Sequence, residues 1–191
     1  MLTDFVKFVE ELFPSISPYT REEVKRSIRQ FETLGRHTKF CLAQPFEFLS
    51  QGDIIANIPF VRFNEKGEQS TMTAMGMLIS NTCDAENDES IMFAPLVPIS
   101  KIKGDTHAMK SNLNYRLLYI PDANLDDYII DLSLVNSYSR KLIEGGMKAG
   151  KIQKFSSLNK LGYYLFLSKL TVHMMRPEDS GVQSMRTDIA G

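Results

Sequence analysis

The sequence has only two cysteines, no apolar run long enough to cross a bilayer, and no surplus of charge of either sign. Each shortage excludes a class of protein. Cys41 and Cys83 are too few to staple a small secreted scaffold, and the first residues carry Asp4, Glu10 and Glu11 where a secretion signal needs a basic start. A cytoplasmic chain with reduced thiols is therefore expected. The most apolar stretch, Tyr163 to Met175, is broken by Ser168, Lys169 and His173, short of the roughly 18 uninterrupted residues a spanning helix requires, so no membrane partner is expected. Lys and Arg number 22 against 23 Asp and Glu, and any nucleic-acid contact must come from a local patch. Phosphate-cradling glycine loops, HExxH and GxSxG strings are also missing, which removes support for nucleotide hydrolysis, zinc proteolysis and serine-hydrolase chemistry. What remains is ordinary globular composition, 43% hydrophobic and 24% charged, in a 191-residue chain suited to one domain with a small appendage.

Three segments follow from the patterning. Residues 1–51 read as a helical extension. Val6, Val9, Leu12 and Phe13 recur at helical spacing before Pro14 and Pro18, and Val24, Ile28, Phe31 and Leu34 mark a second helix, opened by a Thr20–Glu23 capping box and closed by Gly35. The other face of that helix, with Arg21, Lys25, Arg26 and Arg29 among Glu22, Glu23 and Glu32, reads as solvated. From residue 52 to 176 the period falls to two, with strands expected at Asp53–Phe63, Ala74–Ser80, Ser90–Val97, Asn114–Ile120 and Tyr128–Val135 and a turn at Glu65–Glu68. Pro59 implies an edge or a bulge in the first of these. Short strands with no helix between them predict an α+β protein built on a compact barrel. Ser156 and Ser157 offer a cap for a last helix carrying Leu158, Leu161, Leu165 and Leu170, expected to close the barrel. Residues 177–191 form a polar tail expected to fray.

Gly52-Asp53-Ile54, then Gly76-Met77-Leu78-Ile79-Ser80, then Ser90-Ile91-Met92-Phe93-Ala94-Pro95-Leu96-Val97 stand in an order that resembles the MazF/PemK family of toxin-type endoribonucleases. The likeness continues through Tyr128-Ile129-Ile130-Asp131-Leu132-Ser133-Leu134-Val135 and Ser139-Arg140-Lys141-Leu142 to a closing helix at Phe155–Leu170, so it spans residues 52–172 and leaves the amino-terminal helices outside. This resemblance implies an SH3-like barrel, a homodimer, cleavage of single-stranded RNA with neither metal nor other cofactor, and an antitoxin-like protein partner in the same groove. It also implies two site positions. Ser90 matches the family's hydroxyl residue at the head of its strand. The family's arginine has no counterpart, because Ser70 to Gly76 contains no basic residue, and the loss of one preorganised cation corresponds to about 3 kcal/mol of transition-state stabilisation. Arg62, on a neighbouring strand, or a residue of the basic loop is the replacement to look for. The competing expectation is a relative that binds RNA or a protein without cutting, in a phage-defence or mobile-element setting.

The remaining chemistry-bearing residues have ordinary readings beside functional ones. Cys83 and Asp84, in Ser80-Asn81-Thr82-Cys83-Asp84, are candidates for the catalytic set, yet small polar residues at a strand exit also set turns, and a neighbouring carboxylate disfavours a thiolate. His37 and Cys41, with Cys83, His107 and His173 elsewhere, lack paired metal-ligand spacing, so no metal is expected. The acidic run Asp84, Glu86, Asp88 and Glu89 reads as solvated and would repel RNA along a groove. Lys101, Lys103, Arg116, Arg140 and Lys141, with Tyr115, Tyr119 and Tyr138 to stack bases, are the candidate RNA-binding residues.

Overall fold

The computed structural model describes residues 18–34, 38–175 and 179–186. The helix expected after Thr3 lies outside them, as do Gly35 and His37. Helix α1 (Pro18–Leu34) starts two residues before the expected cap and buries Ile28 and Phe31, the apolar stripe of the sequence. Its charged face is not wholly solvated. Glu23 is buried and pairs with Arg26 at 2.6 Å and with Lys160 at 3.0 Å.

Seven strands follow, β1 (Ile54–Phe63), β2 (Gln69–Leu78), β3 (Ser90–Pro98), β4 (Leu117–Leu118), β5 (Tyr128–Asp131), β6 (Asn136–Ser139) and β7 (Gln153–Ser156). They form one antiparallel sheet in the order β4-β5-β3-β2-β1-β7, with β6 on the other half of the β3 edge that β5 shares. Between them lie α2 (Thr82–Asn87), a 3-10 turn at Ile99–Lys101, α3 (Thr106–Lys110) and α4 (Arg140–Lys148); α5 (Lys160–Met175) and α6 (Ser180–Met185) come last. The latter gives the expected frayed tail one helical segment. None of the described helices is long and apolar enough to cross a membrane.

The sheet is not the closed barrel expected from the sequence, because its terminal strands β4 and β7 do not pair. The long β1–β2 hairpin instead curls until side chains of β6 meet it. Asn136 Oδ1 accepts from the Val61 N–H at 2.7 Å, and Tyr138 Oη donates to the Pro59 carbonyl at 2.7 Å. Strand β1 can bend this way because its ladder slips between Ile55 and Ile58, where Asn57 takes a left-handed φ of 66°; Pro59 thus stands just past a bulge. The curl encloses one apolar core of Ile55, Ile58, Phe60, Leu78, Ile91 and Phe93, lidded by Ile143 of α4. A second core, with Ile54, Met77, Leu96 and Ile130, fills the space between the opposite face of the sheet and α1 and α5.

Local chemistry explains where strands differ from expectation. β2 begins at Gln69, five residues early, because the Asn64–Glu68 turn launches it. Asn64 Oδ1 accepts from Lys66 and Glu68 N–H, and Gly67 supplies a φ of 77°. Of Asn114–Ile120 only Leu117 and Leu118 pair, since Asn112, at φ 55°, holds both N–H and C=O of Tyr119 with its own side chain. β5 stops at Asp131, whose carboxylate takes the Ser133 N–H and hydroxyl and turns the chain. The last helix begins at Lys160, capped by Asn159, whose Oδ1 accepts from Gly162 N–H; Ser156 belongs to β7 instead. Leu158 and Leu165 are buried as expected.

Ser157 has another role. Its hydroxyl donates at 2.5 Å to Asp53 Oδ1, while Asp53 Oδ2 accepts from the Ser50 N–H at 2.8 Å and pairs with Lys154 Nζ at 2.6 Å. Lys154 also donates to the Phe46 and Phe48 carbonyls, and the side chains of both charged partners are buried. Removing one partner leaves an uncompensated buried charge, so Asp53→Ala and Lys154→Met should each cost about 3–5 kcal/mol in urea unfolding. Gly162→Ala should cost about 1–3 kcal/mol, because an added Cβ would press on the Phe40 carbonyl.

Candidate functional site

The head of β3 gathers more of the expected residues than any other place. Ser90 is exposed there, as the first residue of the strand, and its ladder partner is Ser139 of β6. Chain order then puts Arg140, the first residue of α4, beside it. The Arg140 N–H donates to the Glu89 carbonyl at 2.8 Å, Nε donates to the Asp88 carbonyl at 2.8 Å, and Nη1 meets Glu144 Oε1 at 2.8 Å. Lys141 follows, exposed on the first turn of α4. Hydroxyl and guanidinium are thus brought to one rim from residues 50 positions apart by the β3–β6 ladder, which no local sequence signal encodes.

Cys83 and Asp84 sit on α2, just before that rim, and both are exposed. The string around them builds the entry to the helix. Asn81 Oδ1 accepts from the Cys83 N–H at 3.0 Å, Thr82 Oγ1 accepts from the Gln51 N–H at 3.0 Å, and Ser80 Oγ accepts from the Met92 N–H at 2.9 Å. The acidic residues Asp84, Glu86, Asp88 and Glu89 are all exposed and run directly into Ser90, so the rim carries negative as well as positive charge.

Arg62 lies elsewhere. It is exposed opposite Ser70 near the tip of the β1–β2 hairpin and lines a cavity of about 160 Å³ with Phe60, Val61, Ser70, Thr71, Met72 and Leu134. Its neighbour Val61 touches Asn136, which is three residues of strand, roughly 10 Å, from Ser139 and therefore from the level of Ser90. Lys101 and Lys103 are exposed beyond the opposite end of β3, about 26 Å of extended strand away. Tyr115 and Arg116 are exposed just before β4, whose Leu118 is level with Leu96 through Ile130 of β5, so they lie at the β4 edge of the sheet. Arg116 there pairs with the buried Asp131 at 3.0 Å. The candidate nucleic-acid residues therefore divide into three groups, Arg140 and Lys141 at the head of β3, Lys101 and Lys103 past its foot, and Tyr115 and Arg116 at the β4 edge.

Two of the aromatic side chains expected to stack bases are otherwise engaged. Tyr119 is buried, with its hydroxyl on Asp126 and Lys110 Nζ 5.4 Å from its ring centroid. Tyr138 packs edge-on between Phe60 and Phe93 inside the curl, and burial pushes its phenol up to about 12. Cys41 forms an isolated bridge with Leu158, and burial pushes its thiol up to about 12 as well, which makes it a poor nucleophile. Among the described residues no three His, Cys, Asp or Glu side chains converge as metal ligands would.

No family model and no curated protein matches the chain. Among solved structures, the crystal structure of a MazE–MazF complex from Deinococcus radiodurans is similar, with a TM-score of 0.41 and 8% sequence identity over 69% of this chain and 100% of that one. At that score the likeness assigns neither a fold family nor an activity, and the chain's own residues carry the functional argument.

Sequence reading missed one further ionisable group. Lys169 of α5 is buried and donates to the Asn112 carbonyl at 2.5 Å, and loss of hydration lowers its ammonium from 10.5 to about 8. The folded chain thus releases this proton near pH 8 and the unfolded chain near 10.5. Between those values the unfolded state holds more protons, so this group makes the fold more stable as pH rises. Lys169→Met should equal or exceed the wild type in stability at neutral pH. Urea titrations should show that margin shifting in favour of the wild type by up to about 3 kcal/mol between pH 8 and 10.5.

Proposed function

We propose that this is an RNA-directed protein of the toxin–antitoxin type and that it cuts single-stranded RNA at the head of β3 without needing a metal. The observation that carries the reading is the juxtaposition of Ser90 and Arg140 across the β3–β6 ladder. In such a cleavage the ribose 2′-oxygen bonds to the adjacent phosphorus while the bond to the 5′-oxygen breaks. One proton leaves the attacking hydroxyl and one is delivered to the departing oxygen, leaving a cyclic phosphate and a free 5′-hydroxyl. The extra negative charge on the phosphorane needs a fixed cation. Arg140 suits that task better than Arg62. It is anchored by its backbone and by Nε next to Ser90, its side chain is 26% exposed, and its described bonds occupy two of five N–H donors. Ser90 would hydrogen-bond the same phosphate. Lys141 adds positive charge on the approach.

A second reading, binding of RNA or an antitoxin-like protein without cutting, is favoured by the hold that Asp88 and Glu144 have on the guanidinium and by the acidic run beside it. Purified protein incubated with a long mixed-sequence RNA in chelator separates the two. Cutting predicts discrete 5′ ends whose rate of formation falls by about 100-fold or more in Ser90→Ala and in Arg140→Ala. RNA retained on the protein with no cuts selects the second reading. Neither cuts nor retention defeats the RNA-directed proposal.

A further inference from the structure

Phe46 and Phe48, in the loop before β1, are 39% and 50% exposed and stack on each other, with ring centroids 5.1 Å apart and planes 16° from parallel. The loop that carries them is held by its backbone. The Phe46 N–H donates to Ser157 Oγ at 3.1 Å, the carbonyls of both residues accept from Lys154 Nζ, and the Ser50 N–H donates to Asp53. The buried Asp53–Lys154 pair thus holds the peptide groups inward and leaves the two rings in solvent. The loop also enters the same end of the sheet as the rim. Gly52 N–H donates to the Leu78 carbonyl and Gln51 Nε2 to the Ile79 carbonyl, where β2 ends, and Ile79 N–H donates to the Met92 carbonyl, two residues from Ser90. Across the sheet, Lys154 on β7 is three strand spacings from β3, about 14 Å. α4 and the turn after it run from the head of β3 to β7, and their exposed Lys141, Lys148 and Lys151 carry positive charge along that course.

From this arrangement we infer that Phe46 and Phe48 form a stacking platform for an unpaired base of the strand whose phosphate lies at Arg140 and Ser90. A stacked pair of rings is extended by one more planar ring, and every base has a π-face to offer. Glu47, exposed between the two in sequence, disfavours a phosphate at the rings themselves, so the base is the part of the strand that suits them. An apolar protein segment could cover the same rings, but it would make no use of the cations along α4. The inference rests on the RNA-directed reading and adds a base contact to it, since Tyr119 is buried and Tyr138 is packed between Phe60 and Phe93. Stacking of this kind tolerates any sequence and needs a single strand, because the bases of a duplex are already stacked on each other.

The chain contains no tryptophan, so Phe48→Trp supplies a single fluorescent reporter. The probe is a mixed-sequence single-stranded RNA oligonucleotide with every 2′-hydroxyl methylated, which has no attacking group and stays intact. Its addition should quench the Phe48→Trp emission, whereas an abasic oligonucleotide of the same length and phosphate number should not. Phe63→Trp, at the far end of β1, should be unaffected by either. By anisotropy of the labelled probe, Phe48→Ala should bind about 5- to 150-fold more weakly than wild type, the range for one lost base stack. Its far-ultraviolet circular dichroism should be unchanged, because the bonds that hold the loop come from its backbone. If wild type does not retain the probe, the RNA-directed reading fails and this inference with it. If wild type retains it, then equal affinity in Phe48→Ala or an unquenched Phe48→Trp, as rings reserved for a protein segment would give, overturns this inference alone.

Discussion

Asp53 is buried at the start of β1, and its carboxylate ties together segments that lie far apart in sequence. The Ser50 N–H holds it from the loop before the strand, Ser157 from the link between β7 and α5, and Lys154 from β7 itself. Lys154 extends the cluster to the Phe46 and Phe48 carbonyls, and Ser157 Oγ accepts from the Phe46 N–H, so the loop that precedes the sheet has its backbone groups satisfied by the last strand. A buried pair of this kind gives little net stability compared with apolar residues of the same shape, because desolvation opposes the attraction. It gives register instead. With Asp53 fixed, Ile54 and Ile55 enter opposite cores, and β7 is seated on β1.

From that anchor the sheet develops as a curl between two cores. Strand β3 divides its edge between β5 and β6, and the excursion at Leu132–Val135 separates those two short strands. Two side-chain bonds, from Asn136 and Tyr138, then hold the hairpin where a closed barrel would have a backbone ladder. Side chains close the curl, and β2 from Gln69 to Met75 has no ladder neighbour opposite β1 among the described residues. Outside the sheet, α5 is apolar on nearly all sides and lies against the second core and α1, with Ser168 and Thr171 returning their hydroxyls to the carbonyls four residues back.

The same division of β3 makes the rim. Pairing with β6 ends at Ser90 and Ser139, and α4 starts with Arg140 at that point, so Arg140 and Ser90 are neighbours where two strands stop together. Arg62 would have needed the hairpin to fold over toward the same rim, but the contact of Val61 with Asn136 sets it three residues short. Lys101 and Lys103 are carried away because β3 is nine residues long and they follow its other end.

Much of the secondary structure was legible in the sequence because it depends on local patterning. Ile28 and Phe31 at helical spacing, the alternation through Asp53–Phe63, the Glu65–Glu68 turn and the run Ser90–Val97 each declare their element within a few residues. Leu117 and Leu118 show the limit, since their neighbours look like strand but are claimed by the side chain of Asn112. β6 and β7, each four residues, were not legible, because Asn136–Ser139 and Gln153–Ser156 are too polar to announce a strand and exist only as partners of β3 and β1. The sequence by itself determined the apolar residues available for a core and the hydroxyl at the head of β3. Only the tertiary structure decided that the sheet stays open, that Asp53 and Lys154 meet, and that Arg140 stands beside Ser90. Those outcomes depend on contacts between residues tens of positions apart, where the geometry of the whole sheet governs.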